Sequence, residues 1–302
     1  MSFERVAIIG LGLLGGSIGL AVAEHLPGVV TTGYDADPAV RRRASERGRA
    51  GTICESAGEA VAEADLVILC VPVGAMGEAA REIAAELRPE ALVSDVGSSK
   101  RSIARALTEA LPGQPVIPAH PVAGTEHSGP DAGFAALFHH RWCILTPPSN
   151  ADPALVAGLA GFWRALGATV EVMDAEHHDL VLAVTSHIPH LIAYTIVGTA
   201  SDLEEVTRGE VIKYSAGGFR DFTRIAASDP TMWRDVFLNN RDAVLEMLDR
   251  FLTDLEGVRE AIKASDGEAM FDLFTRTRAI RRGIIELGQD DARPDFGRAD
   301  HG

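Results

Sequence analysis

The chain has 302 residues, enough for about two domains with buried cores, and its 46% apolar and 24% charged content is ordinary for a globular protein. A net charge of −15 argues against nucleic acid or an anionic membrane as partner, since both need a basic footprint, and it means that an anionic substrate needs its own local cations. Cys54, Cys70 and Cys143 have no paired spacing, and the apolar stretch from Arg5 to Ile9 is too short for a signal peptide or a span; both point to a reducing cytoplasm.

The first half alternates strand and helix. Apolar runs at Val6–Ile9, Val29–Thr32, Leu66–Val71, Leu92–Ser94 and Val116–Ile117 read as buried strands. Helical patterns at Leu13–Glu24, Pro38–Arg47, Val73–Leu87 and Ser102–Leu111 separate them. Such a βαβ series predicts a Rossmann-type, doubly wound, mostly parallel α/β sheet. Ile144–Thr146 and Thr169–Met173 are expected to add strands, with Ala154–Leu166 as the helix between them.

Within this half, Gly10-Leu-Gly12-Leu-Leu-Gly15 follows the first strand and opens the first helix. Gly10 suits the tight turn, Gly12 the approach of a pyrophosphate, and Gly15 the packing of helix on sheet. The helix N-terminus presents free N–H groups to the phosphates. Asp35 ends the second strand, 20 residues past Gly15, where a carboxylate takes both ribose hydroxyls of NAD and repels the 2′-phosphate of NADP. Leu13, Leu14 and Val71 complete the expected cofactor contacts. Arg41, Arg42 and Arg43 bear on this choice, because arginine can hold a 2′-phosphate; they read as a solvated helix face, and NAD is the expected cofactor.

After Met173 glycine and proline thin out, and Asp174–Ala200, Leu203–Tyr214, Met232–Lys263 and Glu268–Leu287 read as helices. The expected division is a nucleotide-binding domain over 1–173 and an all-helical substrate and dimerisation domain over 174–302, frayed after Gln289.

Four segments carry the chemistry: Asp95-Val-Gly97-Ser98-Ser99-Lys100, His120-Pro-Val-Ala-Gly124-Thr125-Glu126, Ser186-His187-Ile-Pro189-His190, and Gly217-Gly218-Phe-Arg220-Asp221-Phe-Thr223-Arg224. The first two lie at carboxyl ends of predicted strands, where open α/β sheets place reactive groups. Ser186 and His190, four apart, share a helix face, and Pro189 predicts a kink. In this order after the glycine loop, the segments resemble the prephenate and arogenate (cyclohexadienyl) dehydrogenases of tyrosine biosynthesis, from Val6 to about Leu287. The resemblance implies oxidative decarboxylation: hydride leaves C4 of a cyclohexadienol to NAD⁺, the 4-hydroxyl loses its proton, and the C1 carboxylate leaves as CO₂.

That reaction needs a group to take the hydroxyl proton. His120 fits by its chemistry and by the resemblance, and is expected to titrate near pH 6–7; a hydrogen-bonded loop histidine is the alternative. Ser98 is expected to orient the hydroxyl or the imidazole, unless it is simply a helix N-cap. Arg224 matches the family's substrate arginine and suits bidentate capture of a carboxylate, with a surface ion pair as alternative. His190, Ser186 and Thr125 are expected substrate contacts; for His190 a core histidine competes. Arg220, Asp221 and Trp233 are expected to shape the same region or a subunit contact. His177-His178, His187 and His190 lack a matching set of carboxylates or cysteines, so no metal is expected; His139-His140 reads as loop surface, and Glu126 as a cap or gate.

The resemblance also implies a homodimer built from the helical half, and the stripe Val244, Leu245, Leu248, Phe251, Leu252 and Leu255 suits one, with an internal core as alternative. No regulatory or mutase module is expected, so tyrosine inhibition would act at the active site. Two other functions share the plan. A β-hydroxyacid dehydrogenase would place a lysine after a glycine-rich helical run, whereas Lys213 precedes Ser215-Ala-Gly217-Gly218. A non-enzymatic NAD sensor would not need His120, Arg224 and the paired histidines together.

Overall fold

The computed structural model describes residues 3–125, 127–202 and 217–286. Five parallel strands, β1 (Arg5–Ile9), β2 (Val30–Tyr34), β3 (Thr52–Ile53), β4 (Leu66–Leu69) and β5 (Leu92–Asp95), form a sheet in the order β3-β2-β1-β4-β5. Their continuous apolar runs follow from burial on both faces. On one face Val6, Ile8, Leu66, Ile68 and Leu92 pack with α1 (Leu13–His25), Phe138 and Trp163. On the other, Ala7, Ile9, Val67, Leu69 and Val93 pack with α3 (Ala57–Val61), α4 (Met76–Ile83) and α5 (Lys100–Ala110); α2 (Pro38–Glu46) follows β2. The chain winds outward from β1 to β3 and then returns to β4, so a crevice opens at the carboxyl ends of β1 and β4.

A second sheet departs from expectation. Val116–Ile117 is reduced to a bridge between Val93 and Val116, because the next N–H that faces β5, that of Ala119, goes to the Asp95 carboxylate instead of a main-chain oxygen. The strand forms just beyond as β6 (Ala119–Pro121), paired antiparallel with β7 (Trp142–Leu145), which pairs parallel with β8 (Thr169–Val172) around α6 (Pro153–Ala165). His120 therefore lies inside a strand of this smaller sheet instead of following a strand of the main one. β3 and α3 go beyond what the sequence predicts; a two-residue strand and a five-residue helix leave almost no periodicity to read.

The remaining described chain is helical. α7 (Ala175–Leu182) runs through a π turn, Ala183–His187, into α8 (Ile188–Ser201). The wide turn ends just before Pro189, whose ring removes a helical donor, so the α-helical bonding is interrupted here by a π turn. By length and composition alone Ala175–Ser201 is long and apolar enough to cross a bilayer; its buried His178, Asp179 and His187 instead bond to other parts of the protein. α9 (Gly217–Thr223) and a 3₁₀ turn, Arg224–Ala227, lead to α10 (Pro230–Asn239), α11 (Arg241–Lys263) and α12 (Gly267–Glu286). The single helix expected over Met232–Lys263 is broken at Asn240, which leaves helical geometry and turns its amide onto the Asp179 carbonyl and His187. Compactness divides the chain into Met1–Met247 and Leu248–Gly302. The helix expected over Leu203–Tyr214, the tail after Gln289, Glu126, Lys213 and Ser215 lie outside the described residues.

Candidate active site

The crevice begins at the glycine loop. Gly10 has φ +100°, and a Cβ there would lie 2.5 Å from the Cys70 carbonyl oxygen. A Cβ on Gly15 would lie 1.9 Å from the Gly10 oxygen, so α1 can leave the strand at this angle only with glycine. At Gly12 a Cβ would meet nothing within 4 Å, and no side chain caps the start of α1, leaving its N–H groups for a ligand. Leu13, Leu14 and Val71 are half-buried around this opening. The Asp35 carboxylate, also half-buried, accepts from the Leu11 N–H at 2.8 Å and the Asp37 N–H at 3.0 Å, which fixes it against the loop. This donor and acceptor set fits a dinucleotide: N–H groups for phosphate, a carboxylate for ribose.

Of the three arginines read as a solvated face, Arg42 is exposed as expected. Arg43 pairs with Glu46 and Asp131 at the surface. Arg41 is a correction: its side chain is only 15% exposed, because its guanidinium folds back onto the β2–α2 turn.

At the carboxyl end of β5 lies a buried ion pair. Lys100 Nζ donates to Asp95 Oδ2 at 2.5 Å and to the Ala119 carbonyl at 2.6 Å; Asp95 also accepts from the Gly97 N–H at 2.7 Å and the Ala119 N–H at 3.2 Å. Burial pushes the Asp95 carboxyl up and the Lys100 amine down, and their pairing opposes both shifts. The pair binds the first residue of β6 to the end of β5, and thereby locates His120, the next residue.

His120 is buried, and its Nδ1 lies 2.9 Å from Nε2 of His178. His178 Nδ1 lies 2.9 Å from Asp179 Oδ1. A carboxylate only accepts, so His178 Nδ1 donates to Asp179, and His178 Nε2 accepts from His120 Nδ1–H. The neutral chain thus leaves the lone pair of His120 on Nε2. Burial, then the neighbouring His178, Lys100 and His187, holds His120 well below the ordinary histidine range, so the titration expected near pH 6–7 is displaced downward. Asp179 also accepts from the backbone N–H groups of Lys100 at 2.7 Å and Arg101 at 3.0 Å, and so caps α5.

That cap bears on Ser98. The N-cap position of α5 is Ser99, whose hydroxyl makes no capping bond, so the alternative reading of Ser98 as N-cap does not describe this helix. Ser98 is half-buried beside it. His190 Nδ1 donates to the Ser186 carbonyl at 2.9 Å, and its ring stacks on Trp233 with centroids 3.6 Å apart. Neutral His190 therefore offers Nε2 as an acceptor, suited to a hydroxyl more than to a carboxylate. Burial chiefly lowers its pKa, and Arg224 contributes to the lowering, so the two lie within electrostatic reach. Arg224 is exposed and has no ion pair among the described residues. Thr125 is exposed, and its hydroxyl accepts from the His127 N–H at 3.2 Å; no contact joins it to His120. Three residues that the sequence left without a role, His178, Asp179 and Asn240, hold the cluster together. Only the run His177-His178-Asp179 at the start of the helical half hinted at the first two.

Comparison with known proteins identifies the family. Residues 18–172 match the family described as "Prephenate dehydrogenase, nucleotide-binding domain", and residues 174–276 match "Prephenate dehydrogenase, dimerization domain". The chain is 43% identical to a cyclohexadienyl dehydrogenase of Zymomonas mobilis over 93% of this chain and 96% of that protein. It is 34% identical to a prephenate dehydrogenase of Bacillus subtilis, covering 97% of this chain and 79% of that one. A crystal structure of prephenate dehydrogenase from Aquifex aeolicus, in complex with hydroxyphenyl propionate and NAD⁺, superposes with TM-score 0.88 at 32% identity, covering 94% of this chain and 99% of that one. The chain belongs to the prephenate dehydrogenase family, the prephenate and cyclohexadienyl dehydrogenases of tyrosine biosynthesis.

Proposed function

We propose that this chain oxidatively decarboxylates prephenate, arogenate or both with NAD⁺, and that His120 is its base. The observation that carries this reading is the buried run His120–His178–Asp179, which leaves an unprotonated Nε2 on His120. NAD⁺ supplies the hydride acceptor, held by Gly10, Gly12, Leu13, Leu14, Gly15, Asp35 and Val71. His120 takes the 4-hydroxyl proton as the C4 hydride departs. When the C1–carboxylate bond breaks as CO₂ leaves, its electron pair makes the ring aromatic and the oxygen regains a proton. Ser98 orients the hydroxyl or the imidazole. Arg224 binds a substrate carboxylate in a protein otherwise strongly negative, and His190, Ser186 and Thr125 complete the substrate site.

In this reading the nucleotide-binding domain is 1–173 and the helical domain 174–302. Exposed Leu245, Leu252 and Leu255 on α11, with Phe271, Phe274 and Ile280 on α12, favour a homodimer through the helical half. Val244, by contrast, is buried within the subunit. Three unpaired cysteines suit the reducing cytoplasm. Absorbance at 340 nm with prephenate and then arogenate, each with NAD⁺ and NADP⁺, tests the proposal. NADH formation from one or both substrates is expected; no turnover with either would overturn it.

A further inference from the structure

The β2–α2 turn carries an interaction that the reaction does not use. Arg41 Nη1 donates to the main-chain oxygens of Asp35 at 2.9 Å and Ala36 at 3.3 Å. Its guanidinium carbon sits 5.4 Å from the centre of the Tyr34 ring. Its Nη2 is paired at 3.1 Å with Glu55, which comes from the loop after β3 and is 87% exposed. Arg41 is thus an arginine next to the ribose carboxylate whose free edge is already occupied. The neighbouring cations are placed otherwise: Arg43 is held by Glu46 and Asp131, and Arg42 lies about 100° further round α2.

We propose that Glu55 is a specificity-determining residue: by holding Arg41 on the β2–α2 turn it withholds the guanidinium best placed to meet a 2′-phosphate. Selection against NADP⁺ then rests on two carboxylates, Asp35 by direct repulsion and Glu55 by occupying the cation, a division that builds on the NAD⁺ preference proposed above. Arginine binds phosphate strongly only when its donors are free to form the fork. Removing Asp35 alone leaves a dianionic phosphate facing a cation that is still paired and a second carboxylate behind it.

The test is calorimetric titration with 2′,5′-ADP, alongside kcat/KM for NAD⁺ and NADP⁺, on wild type, Asp35→Ser, Glu55→Gln and the double variant. Asp35→Ser should relax discrimination only in part. Adding Glu55→Gln should tighten 2′,5′-ADP by a further factor of about five, the upper worth of an exposed ion pair. Adding Arg41→Met should remove most of that gain, whereas Arg42→Met should leave it. A double variant that binds 2′,5′-ADP no more tightly than Asp35→Ser, or a gain that survives Arg41→Met, overturns the role of Glu55. A wild type that prefers NADP⁺ overturns the NAD⁺ reading instead, so the two failures are distinct.

Discussion

Replacing Asp179 with asparagine separates what holds the site from what activates it. Asp179 is 2% exposed and uses its carboxylate three times: for the Lys100 N–H, the Arg101 N–H and His178 Nδ1. Asparagine keeps the shape but only one acceptor oxygen, so one of the two capping N–H groups loses its partner in a buried place. A hydrogen bond to a charged group is worth about 1.5–3 kcal/mol, and the orphaned donor adds to the loss, so stability should fall by about 3 kcal/mol. The catalytic consequence runs along the histidines. If the amide NH₂ faces His178, Nδ1 must accept, Nε2 of His178 then carries the proton, and His120 Nδ1 must accept in turn. His120 would then carry its proton on Nε2 and could not act as base. A wrong tautomer of this kind should lower kcat by about 10²–10⁴. Urea unfolding read by fluorescence gives the first quantity, and NADH formation at 340 nm under saturating substrate gives the second. An Asp179→Asn enzyme that loses stability but keeps kcat within about threefold refutes the relay and leaves only the cap.

Arg224→Ala should raise the KM for prephenate steeply, by about 30-fold or more, with NAD⁺ affinity unchanged, since removing one partner of a desolvated charge pair costs about 2–5 kcal/mol; equal losses with both ligands would point to misfolding instead. Stability should fall with acid. Burial lowers His187 to about 4 and also lowers His120 and His178, so the unfolded chain binds these protons first. Their contribution is full above the unfolded value of about 6.5 and is lost as pH falls toward the folded values, with His187 alone accounting for about 3 kcal/mol. Urea midpoints that stay level from pH 8 to pH 4.5 would contradict this. Light scattering should give twice the 32.1 kDa chain mass at micromolar concentration; a monomer would mean that the exposed faces of α11 and α12 serve another purpose.

The parallel sheet was legible because β1, β4 and β5 are buried on both faces and leave unbroken apolar runs. The glycine loop was legible for a related reason: at Gly10 and Gly15 the backbone approach excludes a Cβ, so the chemistry is written in the residue type. β6 was not, because three residues that follow one proline and end on another carry no period, and sequence reasoning therefore puts His120 at the end of the wrong sheet. The partners of His120 were hidden for a different reason. His178 and Asp179 lie 58 and 59 residues further along, and only tertiary packing brings an α7 side chain against β6 and the start of α5. Arg41 shows the limit of reading a charge run as solvated: a residue at helical spacing can turn back on the preceding turn when a carbonyl pair and a carboxylate await it.

The pH dependence of kcat for prephenate oxidation, in wild type and in His120→Ala, tests the central claim most directly. A base that burial keeps neutral should give wild type an acid limb below the range of a free histidine, and His120→Ala should lose that limb together with about 10²–10⁴ of kcat. A His120→Ala enzyme with near-normal kcat and the same limb would contradict the account, and the hydroxyl proton would have to leave by another group.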